Sequence, residues 1–163
     1  MAKRPQENIL KNIETLDEIA EPLLRWFHSE KRALPWREEP TPYRVWVSEI
    51  MLQQTRVEAV KPYFERFVAA LPDVRALARA DETTLMKLWE GLGYYSRARH
   101  LQSAARLICS DHGGEIPAHF DGLLSLPGIG RYTAGAVASI AFGERRPAVD
   151  GNVLRVIMRL LAC

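Results

Sequence analysis

The sequence predicts an all-α protein. Three observations carry that reading: apolar residues recur at three-to-four spacing in one segment after another, none of these segments alternates like a strand, and the proline and glycine clusters between them are short. From Asn8 to His28, Ile9, Ile13, Leu16, Ile19, Ala20, Leu23, Leu24 and Phe27 form the apolar stripe of a long amphipathic helix. Pro22 lies inside it and is expected to divide or kink the helix, because it lacks an amide proton and crowds the preceding turn. Leu34 to Tyr43 carries Pro35, Pro40 and Pro42 and reads as an extended or turning connection. Tyr43 to Thr55 then joins an apolar helix to polar Glu49, Gln53, Gln54 and Thr55, as suits a helix end facing a cleft.

Further helices are expected over Val57 to Leu71, Asp81 to Trp89, Arg97 to His112 and Phe120 to Leu124, set apart by Pro72, Gly91, Gly93, Gly113, Gly114 and Pro117. Two more follow, from about Arg131 to Phe142 and from Gly151 to Leu161. Trp26, Trp46 and Trp89 fit helix-packing positions and are expected in cores, and Cys109 reads as a small apolar helix residue. The apolar run Val153, Leu154, Val156, Ile157, Leu160 and Leu161 has no carboxyl cap after it, so the last helix reads as interrupted.

The chain has 163 residues, 47% of them hydrophobic, enough for one substantial core or two small helical lobes. Lysine and arginine number 22 against 20 acidic residues, a formal charge of +2, so any nucleic-acid surface must come from local placement rather than a basic tail. Cys109 and Cys163 are the only cysteines and the four histidines show no ligand spacing, which excludes a disulfide framework and offers no metal motif. No apolar run reaches the ~20 residues of a membrane span, and a soluble intracellular protein is the simplest expectation.

The sharpest local motif is Leu126-Pro127-Gly128-Ile129-Gly130 between two expected helices. Pro127 restricts the approach, Gly128 and Gly130 allow a tight turn with exposed amides, and Ile129 can anchor the turn. With the start of the next helix at Arg131-Tyr132-Thr133, this reads as a helix-hairpin-helix that clamps a backbone phosphate. Arg131, Arg97 and Arg99 are candidate phosphate partners from neighbouring loops, and they also read as solvated surface arginines. A glycine-rich connection without a ligand has the same composition.

Two carboxylates stand out. Glu49 sits at the polar end of an apolar helix, and Asp150 at the entrance to the last helix. Alone, Glu49 is also readable as a solvated helix acid and Asp150 as a helix cap. Beside a phosphate hairpin they suggest cleavage of an N-glycosidic bond, which needs a proton for the departing base and a negative charge for the sugar cation. A carboxyl in a partly apolar pocket suits the first task, as at Glu49, and a carboxylate fixed by helix amides the second, as at Asp150.

Five segments then carry a specific resemblance: Leu34-Pro35-Trp36-Arg37, Trp46 to Thr55, Gly91 to Arg99, Leu126 to Ala136 and Val149 to Val153. With them the chain resembles the amino-terminal catalytic region of the MutY-family adenine DNA glycosylases, of the helix-hairpin-helix glycosylase superfamily, from near Leu16 to the end. The resemblance implies that superfamily's fold, incomplete at the carboxyl side. It implies an amino-terminal segment at 1–42 that includes an adenine-pocket loop and packs with a downstream region, a helical lobe with the hairpin at 43–148, and the start of the catalytic-aspartate helix at 149–163. It leaves the first and last helices with faces that a complete enzyme would bury.

The implied activity is excision of adenine opposite 8-oxoguanine or guanine in duplex DNA, with extrusion of the target nucleotide. Glu49 would protonate the adenine, at N7, and later activate water. Asp150 would stabilise the sugar cation, and Tyr132 and Asn152 would lie near the reacting nucleotide. Gln53, Gln54 and Tyr94 would fill or probe the gap left in the stack. Arg32, Trp36 and Arg37 would help enclose the adenine, and Gly128, Gly130, Arg131, Thr133, Arg97 and Arg99 would face phosphates. The resemblance also implies a four-cysteine [4Fe-4S] cluster in a downstream region, with none in these residues, and a monovalent cation at the hairpin. It suggests a monomer, cytoplasmic or nucleoid-associated in a bacterium. The alternatives are a related glycosylase with lyase activity, which would need a nucleophilic lysine in the reaction pocket, where here Arg131 follows Gly130 and Tyr132 occupies the adenine-glycosylase-like position, and a noncatalytic DNA-binding module.

Overall fold

A computed structural model describes residues 5–161, with side chains from residue 18 onward. The elements are helices: α1 (Pro5–Glu30), α2 (Pro35–Glu38), α3 (Pro42–Leu52), α4 (Val57–Ala70), α5 (Val74–Arg79), α6 (Glu82–Trp89), α7 (Ser96–Asp111), α8 (Phe120–Leu124), α9 (Arg131–Phe142) and α10 (Gly151–Leu160). No strand occurs among the described residues. The chain divides into two compact units, one of residues 34–148 and one of residues 1–33 with 149–163.

Within the 34–148 unit, local chemistry sets the helix starts. Thr41 caps α3 through its hydroxyl and Pro42 supplies the preset first-turn φ. Asp73 and Asp81 cap α5 and α6 by accepting the N–H groups of Ala76 and Thr84 at 2.7 and 2.9 Å. At the other end of α9, Gly143 adopts the left-handed conformation that closes the helix.

The core is built around α3, which buries Tyr43, Val45, Trp46, Val47, Ser48, Ile50 and Met51 and packs on α4, α7 and α9. Trp46 within it is fully buried, as are Trp89, Phe64, Phe67, Leu101 and Ile108 on the neighbouring helices. The Phe67 and Trp89 rings meet edge to face, 5.9 Å between centroids. Each such side chain contributes about 1.5–3 kcal/mol by leaving water. At the rim, the Tyr43 hydroxyl donates to the Leu71 carbonyl at 2.7 Å and Gln102 donates to the carbonyls of Leu77 and Ala80, closing the end of α5.

Four expectations are corrected. Pro22 does not divide the first helix, which runs unbroken to Glu30; the Glu18 carbonyl that loses its partner is on an exposed residue, where water can replace the missing N–H. The proline-rich connection contains the helical turn α2, with Pro35 at its first position and the Arg37 N–H donating to the Leu34 carbonyl at 2.8 Å. A further short helix, α5, follows the Asp73 cap and buries Val74 and Leu77. Trp46 and Trp89 are in the core as expected, but Trp26 is 59% exposed.

In the other unit, α1 exposes Leu23, Leu24 and Trp26. Helix α10 exposes Val153, Leu154, Val156, Met158 and Leu160 and contributes no buried residue. No described helix is long and apolar enough to cross a membrane.

Candidate functional site

Glu49 lies in the last full turn of α3, half-buried between the buried Ser48 and Ile50. Apart from Arg44 and Ser48 the helix is apolar, with Tyr43, Val45, Trp46, Val47, Ile50 and Met51 filling the core, and Glu49 is its one carboxylate. Helix α3 packs on α9, whose second residue is the partly exposed Tyr132.

Just beyond Glu49 the chain turns sharply. Gln54 has φ +56° and Tyr94, in the turn before α7, has φ +48°; among the described residues these are the two non-glycine positions in the left-handed region. Such a conformation costs about 1–3 kcal/mol and persists only where the surroundings impose it. Here the surroundings are Arg97, which is 8% exposed. Its Nη1 donates to the carbonyls of Ile50, Met51 and Gln53 at 2.9, 2.9 and 2.6 Å, and its Nη2 to Thr55 Oγ1, the Leu92 carbonyl and the Gly93 carbonyl at 3.3, 3.1 and 3.2 Å. The guanidinium carbon also lies 5.5 Å from the ring centres of both Trp89 and Tyr94. Its Nε is buried without a partner. Burial pushes the Arg97 pKa down, and the adjacent Tyr94 opposes that shift.

This geometry corrects the expectation that Arg97 faces phosphate, since its outer nitrogens are committed inside the protein. It also brings together the expected gap-filling residues. Gln53 supplies a carbonyl to Arg97, Gln54 is exposed, and Tyr94 is 63% exposed on top of the guanidinium.

At the hairpin, Leu126 and Ile129 are buried while Gly128 and Gly130 are exposed. Gly128 has φ +76°, and a Cβ there would come within 2.7 Å of His100 Cβ, so the turn needs glycine for both its backbone and its fit against α7. Gly130 begins α9 without a side-chain cap, which leaves the helix's first amides for another acceptor. Arg131 is exposed, with its guanidinium carbon 5.8 Å from the Phe120 ring centre. Arg99 is exposed and pairs with Glu82 at 3.1 Å. Thr133 departs from its expected role: at 2% exposure it belongs to the inner face of α9, which takes its side chain away from any phosphate.

Asp150 caps α10. Its Oδ1 accepts the N–H groups of Val153 and Asn152 at 2.8 and 3.0 Å, and its Oδ2 accepts from the Asn152 side-chain amide at 2.9 Å. The Val153 N–H foremost, with both Asn152 donors, holds its carboxyl below the usual carboxylate range. The Asn152 side-chain Oδ1 in turn accepts from the Arg155 guanidinium at 3.4 Å.

Of the expected adenine-pocket residues, Arg32 and Arg37 are exposed. Trp36 is not available to stack on a base: it is 6% exposed, with its ring edge-on to Phe64 at 5.4 Å. Sequence reasoning missed Arg44, which donates to the Pro35 carbonyl at 3.0 Å and lies over the Phe64 ring, tying α2 to α3; no motif signalled it. The chain's own cysteines do not fit a four-cysteine cluster. Cys109 sits half-buried on α7 against the core, and Cys163 lies outside the described residues.

Residues 47–163 match the HhH-GPD superfamily of base excision DNA repair proteins. The chain belongs to that superfamily. Its architecture is accordingly the helix-hairpin-helix glycosylase fold, with α8, the glycine turn and α9 as the name-giving hairpin. Among curated relatives, the adenine DNA glycosylase of Rattus norvegicus is 42% identical over 181 residues, covering 99% of this chain and 35% of that protein. A thermostable thymine-DNA glycosylase structure matches with a TM-score of 0.83 and 30% identity over 88% of this chain and 67% of that one. A trapped endonuclease III–DNA covalent intermediate matches with a TM-score of 0.77 and 27% identity over 100% of this chain and 71% of that one. The chain spans about a third of the length of the curated relatives it matches. Within the HhH-GPD match fall Glu49, the Arg97 cluster, the hairpin and Asp150.

Proposed function

We propose that this chain is the catalytic region of an adenine DNA glycosylase that removes adenine opposite 8-oxoguanine or guanine in duplex DNA. The observation that carries the reading is the contrast between two carboxylates: Asp150 is held as an anion by three donors, while Glu49 is half-buried on an apolar helix. Relatives named adenine DNA glycosylase, from mammals to the bacterium Buchnera aphidicola, support the choice of base.

In this reading the hairpin amides of Gly128 to Arg131 hold a backbone phosphate and the target nucleotide leaves the stack, with Tyr94 and Gln54 entering the space it vacates. The Glu49 carboxyl gives its proton to adenine N7 as the bond from N9 to C1′ breaks, and the bonding pair departs with the base. The cation left on the sugar is stabilised by the Asp150 carboxylate. Water then adds at C1′ and returns a proton to Glu49, leaving free adenine and an abasic site. Tyr132, at the start of α9, is suited to orient the nucleotide, and Asn152 fixes the Asp150 carboxylate.

Arg131 occupies the position after Gly130 and carries no amine nucleophile, which supports excision without strand cleavage. Borohydride treatment during turnover is expected to trap no protein–DNA adduct. The test of the function is single-turnover release by the intact protein from duplexes holding adenine opposite 8-oxoguanine, guanine or thymine. Release from the first two and not the third is expected; tight binding with no release from any duplex would instead mark a DNA-binding module.

A further inference from the structure

Arg97 does more than fill the core. The carbonyls it binds come from two segments that are far apart in sequence: Ile50, Met51 and Gln53 at the end of α3, and Leu92 and Gly93 before α7. Ile50 and Met51 lie in the last turn of α3, whose carbonyls have no partner further along the helix. A cation there satisfies them and also complements the negative end of the helix dipole. The Trp89 indole N–H donates to the Gly93 carbonyl at 3.1 Å, so the 92–94 turn is gripped from below as well. The two strained positions, Gln54 and Tyr94, belong one to each segment, and the exposed Tyr94 ring rests on the guanidinium itself.

We propose that Arg97 is a positioning residue that joins the end of α3 to the 92–94 turn, so that Gln54 and Tyr94 meet the duplex as one preformed wedge. The proposal rests on the base-extrusion reading above and adds to it the group that sets the wedge. A lysine cannot substitute, because a single ammonium presents three donors at one point whereas the two carbonyl groups need a planar fork reaching in both directions. Arg97 touches no DNA in this role and acts through Tyr94, the wedge residue that rests on its guanidinium.

The test uses the intact protein with R97K, Y94A, Y94F and the double variant R97K/Y94A. Amide hydrogen exchange without DNA is expected to quicken in R97K at residues 50–55 and 91–95 together, with α4 and α9 unchanged; a change in only one segment, or in neither, overturns the clamp. With a duplex carrying 2-aminopurine at the mispair, R97K and Y94A are each expected to lower the extrusion signal and the single-turnover rate about tenfold, an effect of about 1.4 kcal/mol. Y94F, which keeps the ring over the guanidinium, should retain most of both. The double variant is expected to lose less than about twofold beyond Y94A alone, since residues acting through one another do not add. Losses that multiply would show that Arg97 does not work through Tyr94. Should R97K fail to fold cooperatively, T55V keeps Arg97 and removes two contacts of the first segment, the Arg97 bond to Thr55 Oγ1 and the Thr55 bond to the Gln53 carbonyl, and the same paired exchange pattern at smaller amplitude is expected. Its absence would overturn the proposal. If the unsubstituted protein releases no adenine, the enzymatic reading fails and the exchange pattern alone decides the clamp.

Discussion

Asn152 holds Asp150 through both carboxylate oxygens, its backbone N–H on Oδ1 at 3.0 Å and its side-chain amide on Oδ2 at 2.9 Å. The Val153 N–H adds a second bond to Oδ1 at 2.8 Å, so one short turn both begins α10 and fixes the orientation and charge of a carboxylate. Capping and the proposed catalytic role place different demands on that group, and substitution can separate them.

Asparagine caps a helix about as well as aspartate, whereas alanine does not. D150N is therefore expected to melt close to the unsubstituted protein and D150A to lose about 1 kcal/mol, while both lose adenine release. Thermal melts beside single-turnover assays check this. A D150N variant that melts normally and releases adenine at an undiminished rate would leave Asp150 with a capping role alone.

Asn152 tunes the charge. N152A keeps the backbone bonds to Oδ1 and deletes the donor to Oδ2, so the Asp150 pKa should rise toward the ordinary carboxylate value. The sign follows directly: a folded-state pKa depressed below its unfolded value contributes stability at higher pH that is lost as pH falls through the folded pKa. In N152A the carboxylate takes up its proton at a higher pH, and the acid limb of the single-turnover pH–rate profile should move upward in pH. An unmoved acid limb would remove Asn152 from the tuning of Asp150.

The two hairpin glycines make a clean comparison. A methyl on Gly130 meets nothing within 4 Å and needs no unusual φ, whereas one on Gly128 strains a left-handed residue and meets His100. G130A is expected to fold within about 0.5 kcal/mol of the unsubstituted protein, yet to bind duplex DNA more weakly if a phosphate approaches that backbone. G128A should lose about 1–2 kcal/mol of stability as well as affinity. Calorimetric melts and titrations at two salt concentrations separate the effects, because a lost phosphate contact also flattens the salt dependence.

Much of this was legible in the sequence for physical reasons. Helices α3, α4, α7 and α9 repeat their apolar pattern over several turns, and the Pro127 to Gly130 turn is confined to few conformations by its composition. Two short elements escaped: α2 and α5 span four and six residues, too few turns for a period to register, whereas the five-residue α8 was legible from its place before the glycine turn. The errors at the site have one shared origin. Arg97 lies between Ser96 and Ala98 with Arg99 close by, a pattern that reads as cationic surface, and only the fold reveals six acceptors converging on its guanidinium. Trp36 and Trp26 erred in opposite directions, because a tryptophan in a loop or on a stripe says nothing of what will cover it. Thr133 follows the glycine turn in sequence, yet the helical rotation from Arg131 carries it to the buried face of α9.

Tyr94 is exposed and adds little to the core, so Y94A should change the melting temperature only slightly while reducing excision strongly. Circular dichroism melts and single-turnover rates on one preparation check this. Equal duplex affinity with an unchanged rate would deny the residue a place in the gap.

In the proposed reaction Glu49 and Asp150 perform unequal tasks on one extruded adenine. The most direct measurement is single-turnover adenine release by the intact protein, with E49Q and D150N, from a duplex holding adenine opposite 8-oxoguanine. The expected result is that both variants fold and still bind that duplex, while release falls at least about a hundredfold, the lower bound for losing a positioned proton donor or charge. Release by either folded variant at a rate near that of the unsubstituted protein would contradict it.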